Sequence, residues 1–305
     1  MTGQAAVTVV IPTRDRPALL RRAIAAIAAQ DCSGPVDVVV VHDGTEPDTA
    51  LPAEFPQLPI TVLENNRTPG LAGSRNTGIL ATTAPWVAFC DDDDVWLDGK
   101  LSAQLAALES DQGAEFCSCS IRVRFGDSLS DRVAGQNRIS HQDLLRSRMA
   151  MAHSSTFVVA RAALLGTIGL LDESIPGSQN EDWDLLLRAS SRRPIVHVDS
   201  PLVEVLWGRT SFFGRQWETK IDSLEWMLDR YPAIGASGPG AARVYGQLAF
   251  ASASLGERRR AVGWAIRSVR ARWCEPRAFI ALAVAGGVVS SETVLDRLHR
   301  HGRGV

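Results

Sequence analysis

The sequence predicts an α/β protein with a mostly parallel sheet that is covered by helices on both faces. Runs such as Val7–Ile11 and Val36–Val41 are apolar at nearly every position, which is typical of strands buried on both faces. Segments with apolar residues at three- and four-residue spacing, such as Pro17–Gln30, separate these strands and read as helices. From about Ser211 onward the pattern is helical throughout, which predicts a helical C-terminal extension.

The elements alternate in a regular order along the first two thirds of the chain. The predicted strands are Val7–Ile11, Val36–Val41, Ile60–Leu63, Trp86–Cys90, Glu115–Phe125, Thr156–Ala160 and Ile195–Trp207. The predicted helices are Pro17–Gln30, Gly73–Leu80, Lys100–Leu108, Asp182–Ser190, Gly214–Tyr231, Ala241–Leu255, Arg258–Trp273 and Ser290–His299. Pro232, Gly238-Pro239 and Pro276 break the last part into separate helices. We therefore divide the chain into an α/β domain, residues 1–210, and a helical region, residues 211–305.

Composition fits one large domain with a small appendage. The 305 residues are 45% hydrophobic and 22% charged, which is ample for a sizeable core. A net charge of −2 argues against a protein built mainly to bind nucleic acid. The odd, scattered cysteines fit a reducing compartment, and Cys117 and Cys119 are expected to be structural thiols. Without a signal peptide or an apolar run long enough for a spanning helix, we expect a cytoplasmic protein.

Polar clusters follow three of the predicted strands. Thr13-Arg14-Asp15 follows the first, Asp43 the second and Asp91–Asp94 the fourth, and ligands of parallel sheets bind beyond these carboxyl ends. Four adjacent carboxylates repel one another, and a divalent cation such as Mg²⁺ or Mn²⁺, bound together with phosphate oxygens, would relieve that repulsion. The alternative is a solvated acidic turn.

Two further motifs carry chemistry. Gly70–Asn76 is a glycine-spaced stretch entering a helix, where backbone amides and Arg75 would favour phosphate; glycines and polar caps also open many ordinary helices. Glu181-Asp182-Trp183-Asp184 opens another helix, and one of its carboxylates would serve as a general base, unless the acidic residues only cap the helix. His153-Ser154-Ser155 lies in no Gly-x-Ser-x-Gly elbow, which argues against a serine hydrolase.

Taken together, these motifs resemble the inverting glycosyltransferase family 2, of the non-processive bacterial type. The resemblance implies the GT-A fold, a Rossmann-like, mixed and mostly parallel sheet. The matching segments occur in the family's order between Val7 and about Arg188, and they are VTVVIPTRDRPALLRRAIAAIAAQ, VDVVVVHDGT, GLAGSRNTGI, WVAFCDDDDVWL, GLLDES and NEDWDLLLR.

The resemblance implies a role for each matching residue. It places the metal, Mn²⁺ or Mg²⁺, on Asp93 with Asp91, and the catalytic base on Asp182, with Glu181 capping the helix or contacting the acceptor. Residues 1–210 then hold the nucleotide-sugar site and the catalytic residues. The residues it places at the donor nucleotide are Pro12, Thr13, Asp15, Asp43, Arg75, Asp91 and Asp92.

Two departures refine the expected reaction. The Gln-x-x-Arg-Trp motif of processive members is absent, which favours transfer of a single sugar. Arg209 stands where many non-processive members carry a histidine. We therefore expect a metal-dependent inverting transferase that moves one sugar from a nucleotide-diphosphate sugar to a small-molecule, glycan or lipid-linked hydroxyl acceptor.

Two other functions would use similar motifs. A nucleotidyltransferase making the nucleotide-sugar would carry a glycine-rich loop after the first strand, and PTRDRP has no glycine. A non-catalytic nucleotide-sugar-binding protein should lack one carboxylate motif, and the sequence keeps both.

An arginine-rich helix in the last third allows two interpretations. Residues 258–273 carry six arginines together with Val262, Trp264, Ile266 and Val269. Such a helix either belongs to a helical subdomain packed on the catalytic core, with its arginine stems extended outward, or lies on the inner face of an anionic membrane.

Overall fold

The computed structural model describes residues 6–32, 34–207 and 216–300, with side chains up to residue 298. Within them the chain forms one mixed, mostly parallel sheet flanked by helices, followed by a helical C-terminal region, so the predicted fold class is confirmed. The strands are β1 (Val7–Thr13), β2 (Val36–His42), β3 (Ile60–Glu64), β4 (Trp86–Phe89), β5 (Val95–Trp96), β6 (Phe116–Phe125), β7 (Ser128–Arg132), β8 (Arg138–Ile139), β9 (Val158–Ala160) and β10 (Ile195–Leu206).

The helices occupy the segments between and after these strands. In the α/β part they are α1 (Pro17–Ala28), α2 (Leu51–Glu54), α3 (Leu71–Ala81), α4 (Lys100–Ser110), α5 (His141–Arg146), α6 (Arg161–Leu165) and α7 (Glu181–Ser190). In the C-terminal region they are α8 (Trp217–Arg230), α9 (Pro232–Ala236), α10 (Gly238–Ser254), α11 (Arg258–Ala271), α12 (Pro276–Ala285) and α13 (Ser291–Arg300).

The sheet order brings the predicted polar clusters to one edge. The order is β3-β2-β1-β4-β9-β6-β10-β5, with β7 paired to β6 and β8 to β10. The first four strands run parallel, and β6 and β10 are also parallel. β9 and β5 run antiparallel to their neighbours. Because β1, β2 and β4 are adjacent and parallel, the residues following them meet at one edge.

Alternate residues of the central strands face two separate cores. Val9 and Ile11 of β1 pack with the apolar face of α1, while Val10 packs on the opposite side. On that side Gly78 of α3 faces Val10, and a Cβ on this glycine would lie 2.3 Å from the valine Cγ1. A larger residue would force α3 off the sheet. The glycine thereby fixes how closely the helix carrying Arg75 approaches β1.

The C-terminal helices pack on the α/β part through α10. Helix α10 contacts α8, α11 and α12, and its first turn meets the end of α5. Pro232 and Pro276 occupy the first turns of α9 and α12. Proline is favoured at this position because its missing N–H would have no intrahelical partner there. The predicted breaks are thus also helix starts, and α12 is a helix outside the predicted set. Among the described residues, no helix is long and apolar enough to cross a bilayer.

Candidate active site

The acidic run divides into two pairs that face different partners. Asp92 accepts hydrogen bonds from Thr13 Oγ1 at 2.8 Å and from Arg16 Nη1 at 3.2 Å. Arg16 also donates to Asp93 at 2.7 Å. Asp92 and Asp93 are thereby tied to the loop after β1. Asp91 and Asp94 turn towards the segment before β9.

Asp91 and Asp94 form a cluster with His153. The ligand atoms of the three side chains lie within 4.8 Å of one another. Two serines hold this arrangement. Ser154 donates to Asp91 at 3.2 Å, while Ser155 donates to Asp94 at 2.5 Å and accepts from the Asp91 backbone N–H at 2.9 Å. Two carboxylates and an imidazole are a donor set that suits a divalent metal ion.

Burial disfavours the charged forms of both Asp94 and His153. Burial, with Asp93 and Asp91 nearby, raises the pKa of Asp94 well above its usual value. Burial also lowers the pKa of His153, despite the opposing effect of Asp91, and neutral imidazole is the form that binds a metal. A divalent cation would relieve the repulsion between the carboxylates. The residues present therefore fit a metal ion.

Arg75 joins the acidic cluster to the Glu-Asp motif. Its guanidinium is 1% exposed and forms ion pairs with Asp91 and with Glu181. It also donates to Ser154 at 3.1 Å. The two carboxylates lie 90 positions apart in the chain, and this buried cation brings them into one site. A buried charge requires such pairing to be tolerated.

The three acidic residues of the Glu-Asp motif have different partners. Asp182 accepts from Arg148 at 2.5 Å and from the Trp183 backbone N–H at 2.7 Å. Burial alone would raise the pKa of Asp182, but Arg148 and His153 outweigh it and lower that pKa. Asp182 is therefore held as a carboxylate, the form that accepts a proton.

Glu181 and Asp184 have other partners than Asp182 does: Glu181 pairs with Arg75, and Asp184 with Arg188. Burial raises the pKa of Glu181 even though Arg75 acts in the opposite direction. Asp184 is fully buried, accepts from Arg188 at 2.8 Å, and accepts from the Tyr231 hydroxyl at 2.5 Å. Asp184 thus anchors the end of α8 to α7.

Asp43 lies at the start of α3. Its carboxylate accepts from the Gly70 backbone N–H at 3.0 Å and from the Asn65 amide at 2.8 Å. Gly70 has a φ of 117°, a conformation that favours glycine. The first free amide of the glycine-spaced stretch, predicted to favour phosphate, is therefore occupied by Asp43.

The structure brings most of the predicted residues to one edge of the sheet. Pro12 and Thr13 end β1 beside Asp43, while Asp15 is exposed in a left-handed conformation with a φ of 55°. The predicted metal ligand Asp93 pairs with Arg16 and lies outside the cluster of Asp91, Asp94 and His153. Its assignment stays a prediction. Arg209 falls in residues 208–215, which are outside the described part of the chain.

Three side chains that pair with the acidic residues of the site are not indicated as partners by the sequence. Arg16 lies in the quoted TRDRP segment, but nothing in its spacing indicates Asp93 as a partner. Arg148 and His153 come from the irregular stretch between α5 and β9, far along the chain from the carboxylates they meet. The adjacent Ser154 and Ser155 were a signal of a polar loop, but they carry no metal-ligand spacing.

The chain is similar in sequence to a known family and to several known proteins. The family described as glycosyl transferase family 2 matches residues 8–165, slightly more than half of the chain. A pre-mycofactocin glycosyltransferase of Mycobacterium tuberculosis is 28% identical over 234 residues, covering 68% of this chain and 46% of the relative. The GalNAc(5)-diNAcBac-PP-undecaprenol beta-1,3-glucosyltransferase of Campylobacter jejuni is 28% identical over 159 residues, covering 49% of this chain and 50% of the relative. The chain thus spans about half the length of these two relatives.

Solved structures share the fold at low sequence identity. TarS 1-349 of S. aureus in complex with UDP-GlcNAc superposes with a TM-score of 0.58 at 14% identity, covering 97% of this chain and 92% of that one. The mannosyltransferase PcManGT of Pyrobaculum calidifontis, in complex with GDP-Man and Mn²⁺, gives 0.55 at 18% identity, covering 99% and 80%. At these coverages the aligned regions include the C-terminal helices.

Proposed function

We infer the reaction from one premise: the chain belongs to glycosyl transferase family 2. It is a glycosyltransferase, as its named relatives are. We propose that it moves one sugar from a nucleotide-diphosphate sugar to an acceptor hydroxyl by a single displacement that inverts the anomeric carbon. The observation that carries this proposal is Arg75, which pairs with Asp91 of the acidic cluster and Glu181 of the Glu-Asp motif. In the proposed reaction, the donor site and the proton acceptor would lie side by side.

The nucleoside would bind across the ends of β1 and β2. Asp43 is buried but keeps one face towards the loop after β1, where Arg14 approaches it to 3.9 Å. Pro12, Thr13 and Asp15 would complete this part of the site, and Asp92 is held beside Thr13. A carboxylate at this position would accept hydrogen bonds from the base or the ribose.

The diphosphate would lie over the acidic cluster. Asp91, Asp94 and His153 would hold a divalent ion, Mn²⁺ or Mg²⁺, which when bound neutralises charge on the leaving diphosphate. The complex of PcManGT with Mn²⁺ supports a divalent ion by analogy. Asp93 remains the alternative ligand to Asp94.

Asp182 would take the proton from the acceptor hydroxyl. Its lowered pKa keeps it ionised, and Arg148 and the Trp183 N–H fix its two oxygens. Arg75 would hold Glu181 in place beside it. The attacking hydroxyl approaches opposite the diphosphate, which inverts the anomeric carbon without a covalent intermediate.

Thermal unfolding with a panel of nucleotides and nucleotide-sugars tests the donor half of the proposal. With Mn²⁺ present, we expect the matching nucleotide-sugar to raise the melting temperature, and the Asp43→Ala variant to lose most of this rise. Release of nucleoside diphosphate on adding acceptor pools then tests transfer. If no nucleotide stabilises the protein with or without a metal, the proposal is wrong.

A further inference from the structure

Ser155 contacts all three members of the cluster formed by Asp91, Asp94 and His153. Its hydroxyl donates to Asp94 at 2.5 Å and accepts from the Asp91 backbone N–H at 2.9 Å. Its own backbone N–H donates to His153 Nδ1 at 3.4 Å. The position of this one residue therefore determines how the three side chains lie relative to one another.

Trp96 binds Ser155 at a different atom. The indole Nε1 of Trp96 donates to the Ser155 carbonyl at 3.1 Å, and this tryptophan is buried. Trp96 belongs to β5, which begins directly after Asp94 and pairs with β10 at Val203. Two residues of one short segment thus bind Ser155, because Asp94 contacts its hydroxyl and Trp96 its carbonyl.

Helix α4 supports the same segment with two polar side chains. Gln104 Nε2 donates to the carbonyl of Thr156, the residue after Ser155, at 2.7 Å. Lys100 lies one turn earlier on α4, and its Nζ covers one face of the Trp96 ring, 3.8 Å from the centroid. Both side chains are fully buried. The carbonyls of two consecutive residues are therefore held by side chains from a different part of the chain.

These polar side chains lie where apolar ones would cost less free energy. Trp96 belongs to the same apolar core as Leu101 and Cys117. Within the described part of the chain, Lys100 Nζ and Gln104 Oε1 have no hydrogen-bond partner. Buried polar atoms without a partner are uncommon in folded proteins and require an explanation. The bonds to the two carbonyls are a function that apolar side chains could not perform.

We propose that Trp96 and Gln104 are positioning residues for the metal ion, because they hold Ser155, and through it the cluster, in the arrangement that binds the ion. The proposal rests on the proposed function, which places a divalent ion on the cluster. Each residue acts through the backbone carbonyl that it binds, at Ser155 or at Thr156. Groups that orient metal ligands from outside typically change metal affinity 10–100-fold when they are replaced.

Calorimetric titration of Mn²⁺ into single variants tests this proposal without any sugar donor or acceptor. We expect Trp96→Phe and Gln104→Leu each to weaken Mn²⁺ binding by roughly 10–100-fold, because each leaves a buried carbonyl without its donor. Trp96→Phe keeps an aromatic ring beside Lys100, so most of the packing is preserved. Melting curves in EDTA establish that each variant is folded.

Ser268→Ala is the matched control. Ser268 is as fully buried as Gln104, and its Oγ also donates to a backbone carbonyl at 2.7 Å, that of Ala242 in the helical region. We expect Ser268→Ala to lower the melting temperature and to leave the Mn²⁺ affinity unchanged. The control thus separates a loss of stability from a loss of metal binding.

A double-variant cycle shows whether Trp96 acts through Ser155. Ser155→Ala should itself weaken Mn²⁺ binding, since it removes the hydroxyl that binds Asp94. The double variant Trp96→Phe, Ser155→Ala should bind only slightly more weakly than Ser155→Ala, because two changes on one route are not additive. Losses that multiply in the double variant would mean that Trp96 does not act through Ser155.

The outcomes distinguish this proposal from the proposed function. If wild-type protein binds Mn²⁺ and both folded variants bind it equally well, Trp96 and Gln104 only pack the core, and the positioning role is wrong while the metal site stands. If wild-type protein does not bind Mn²⁺, the metal part of the proposed function is wrong as well. Weaker binding by the variants supports the positioning role even if sugar transfer is never detected. Where one variant fails to fold, the other decides.

Discussion

Arg148 donates a hydrogen bond to Asp182 over 2.5 Å, and in the proposed reaction this pair marks the acceptor side of the site. The arginine is half-exposed, whereas the carboxylate is buried. The pair therefore has one face towards solvent and one towards Arg75 and Glu181. This geometry distinguishes Asp182 from Asp184, which lies two residues later and is fully enclosed by Arg188 and Tyr231.

Replacing Asp182 by asparagine should remove the base and leave the fold intact. Turnover, measured as release of nucleoside diphosphate with acceptor present, should fall by roughly 10²–10⁴-fold. Donor binding should change little, because the donor residues lie on the other side of Arg75. Asp184→Asn is the matched control, and it should lower the melting temperature while the folded enzyme keeps its turnover. An inactive Asp184→Asn beside an active Asp182→Asn would reverse the two roles.

Asp94 and Asp93 are the two candidates for the second aspartate ligand of the metal, beside Asp91. Asp94→Asn should weaken Mn²⁺ binding by at least about 100-fold, since even loss of a group supporting a ligand costs 10–100-fold. Asp93→Asn should bind Mn²⁺ nearly normally, because Asp93 faces Arg16. Calorimetric titration of Mn²⁺ into both variants measures this. The opposite result would favour Asp93, and full activity in excess EDTA would remove the metal from the mechanism.

Replacing Arg75 should lower the free energy of unfolding more than replacing an arginine at the surface does. Arg75→Met leaves Asp91 and Glu181 buried without their cation, and such a loss typically costs about 3–5 kcal/mol. Arg21→Met is the control, because Arg21 is 32% exposed and pairs with Glu54; that change should cost at most about 1 kcal/mol. Urea unfolding of both variants compares the free energies. Equal losses would mean that the buried pairs contribute nothing specific.

The sequence predicts the sheet and the edge where the site lies, because both follow from local patterns. Continuous apolar runs indicate strands buried on both faces, and parallel neighbours bring Asp43 and Asp91 to one edge. The sequence does not predict the partners of these residues. Arg148 and His153 reach the site from an irregular segment, where no periodicity fixes their direction. That Arg16 binds Asp93 depends on tertiary packing between β1 and β4, and residue types alone do not reveal it.

Replacing either of two helical glycines by alanine should change the stability of the protein, with opposite signs at the two positions. Gly240→Ala would place a Cβ 2.1 Å from the Leu145 carbonyl oxygen, so α10 must shift, at a cost of about 1–3 kcal/mol. Gly263 lies inside α11, and no atom comes within 4 Å of the position of its Cβ. Gly263→Ala should stabilise the protein by about 0.4–1 kcal/mol, because it reduces the freedom of the unfolded chain. Thermal unfolding of the two variants checks both signs.

The arginine-rich helix α11 is packed on one face and apolar on another. Ala261 and Ala265 are buried, and Ser268 Oγ donates to the Ala242 carbonyl of α10 at 2.7 Å. This supports packing on the helical region, one of the two interpretations of the sequence. Val262 and Ile266 remain 39% and 46% exposed, however.

Further apolar and basic side chains of α11, α12 and the segment between them are exposed. Trp273, between α11 and α12, is 79% exposed, and Phe279 of α12 is 53% exposed. Arg259 and Arg270 of α11 are also exposed. Apolar side chains and arginines together fit an anionic membrane surface, where each arginine contributes about 1 kcal/mol. We therefore expect peripheral binding in addition to packing.

Cosedimentation with anionic and neutral vesicles tests this surface. We expect the protein to bind anionic vesicles and to be released by salt, because surface charges are screened within about 8 Å at physiological ionic strength. The double variant Ile266→Ser, Trp273→Ser should bind several-fold more weakly. Leu165→Ser is the matched control, since Leu165 is 45% exposed on α6, outside the helical region. If binding is absent or indifferent to salt, α11 serves only to pack the helical region.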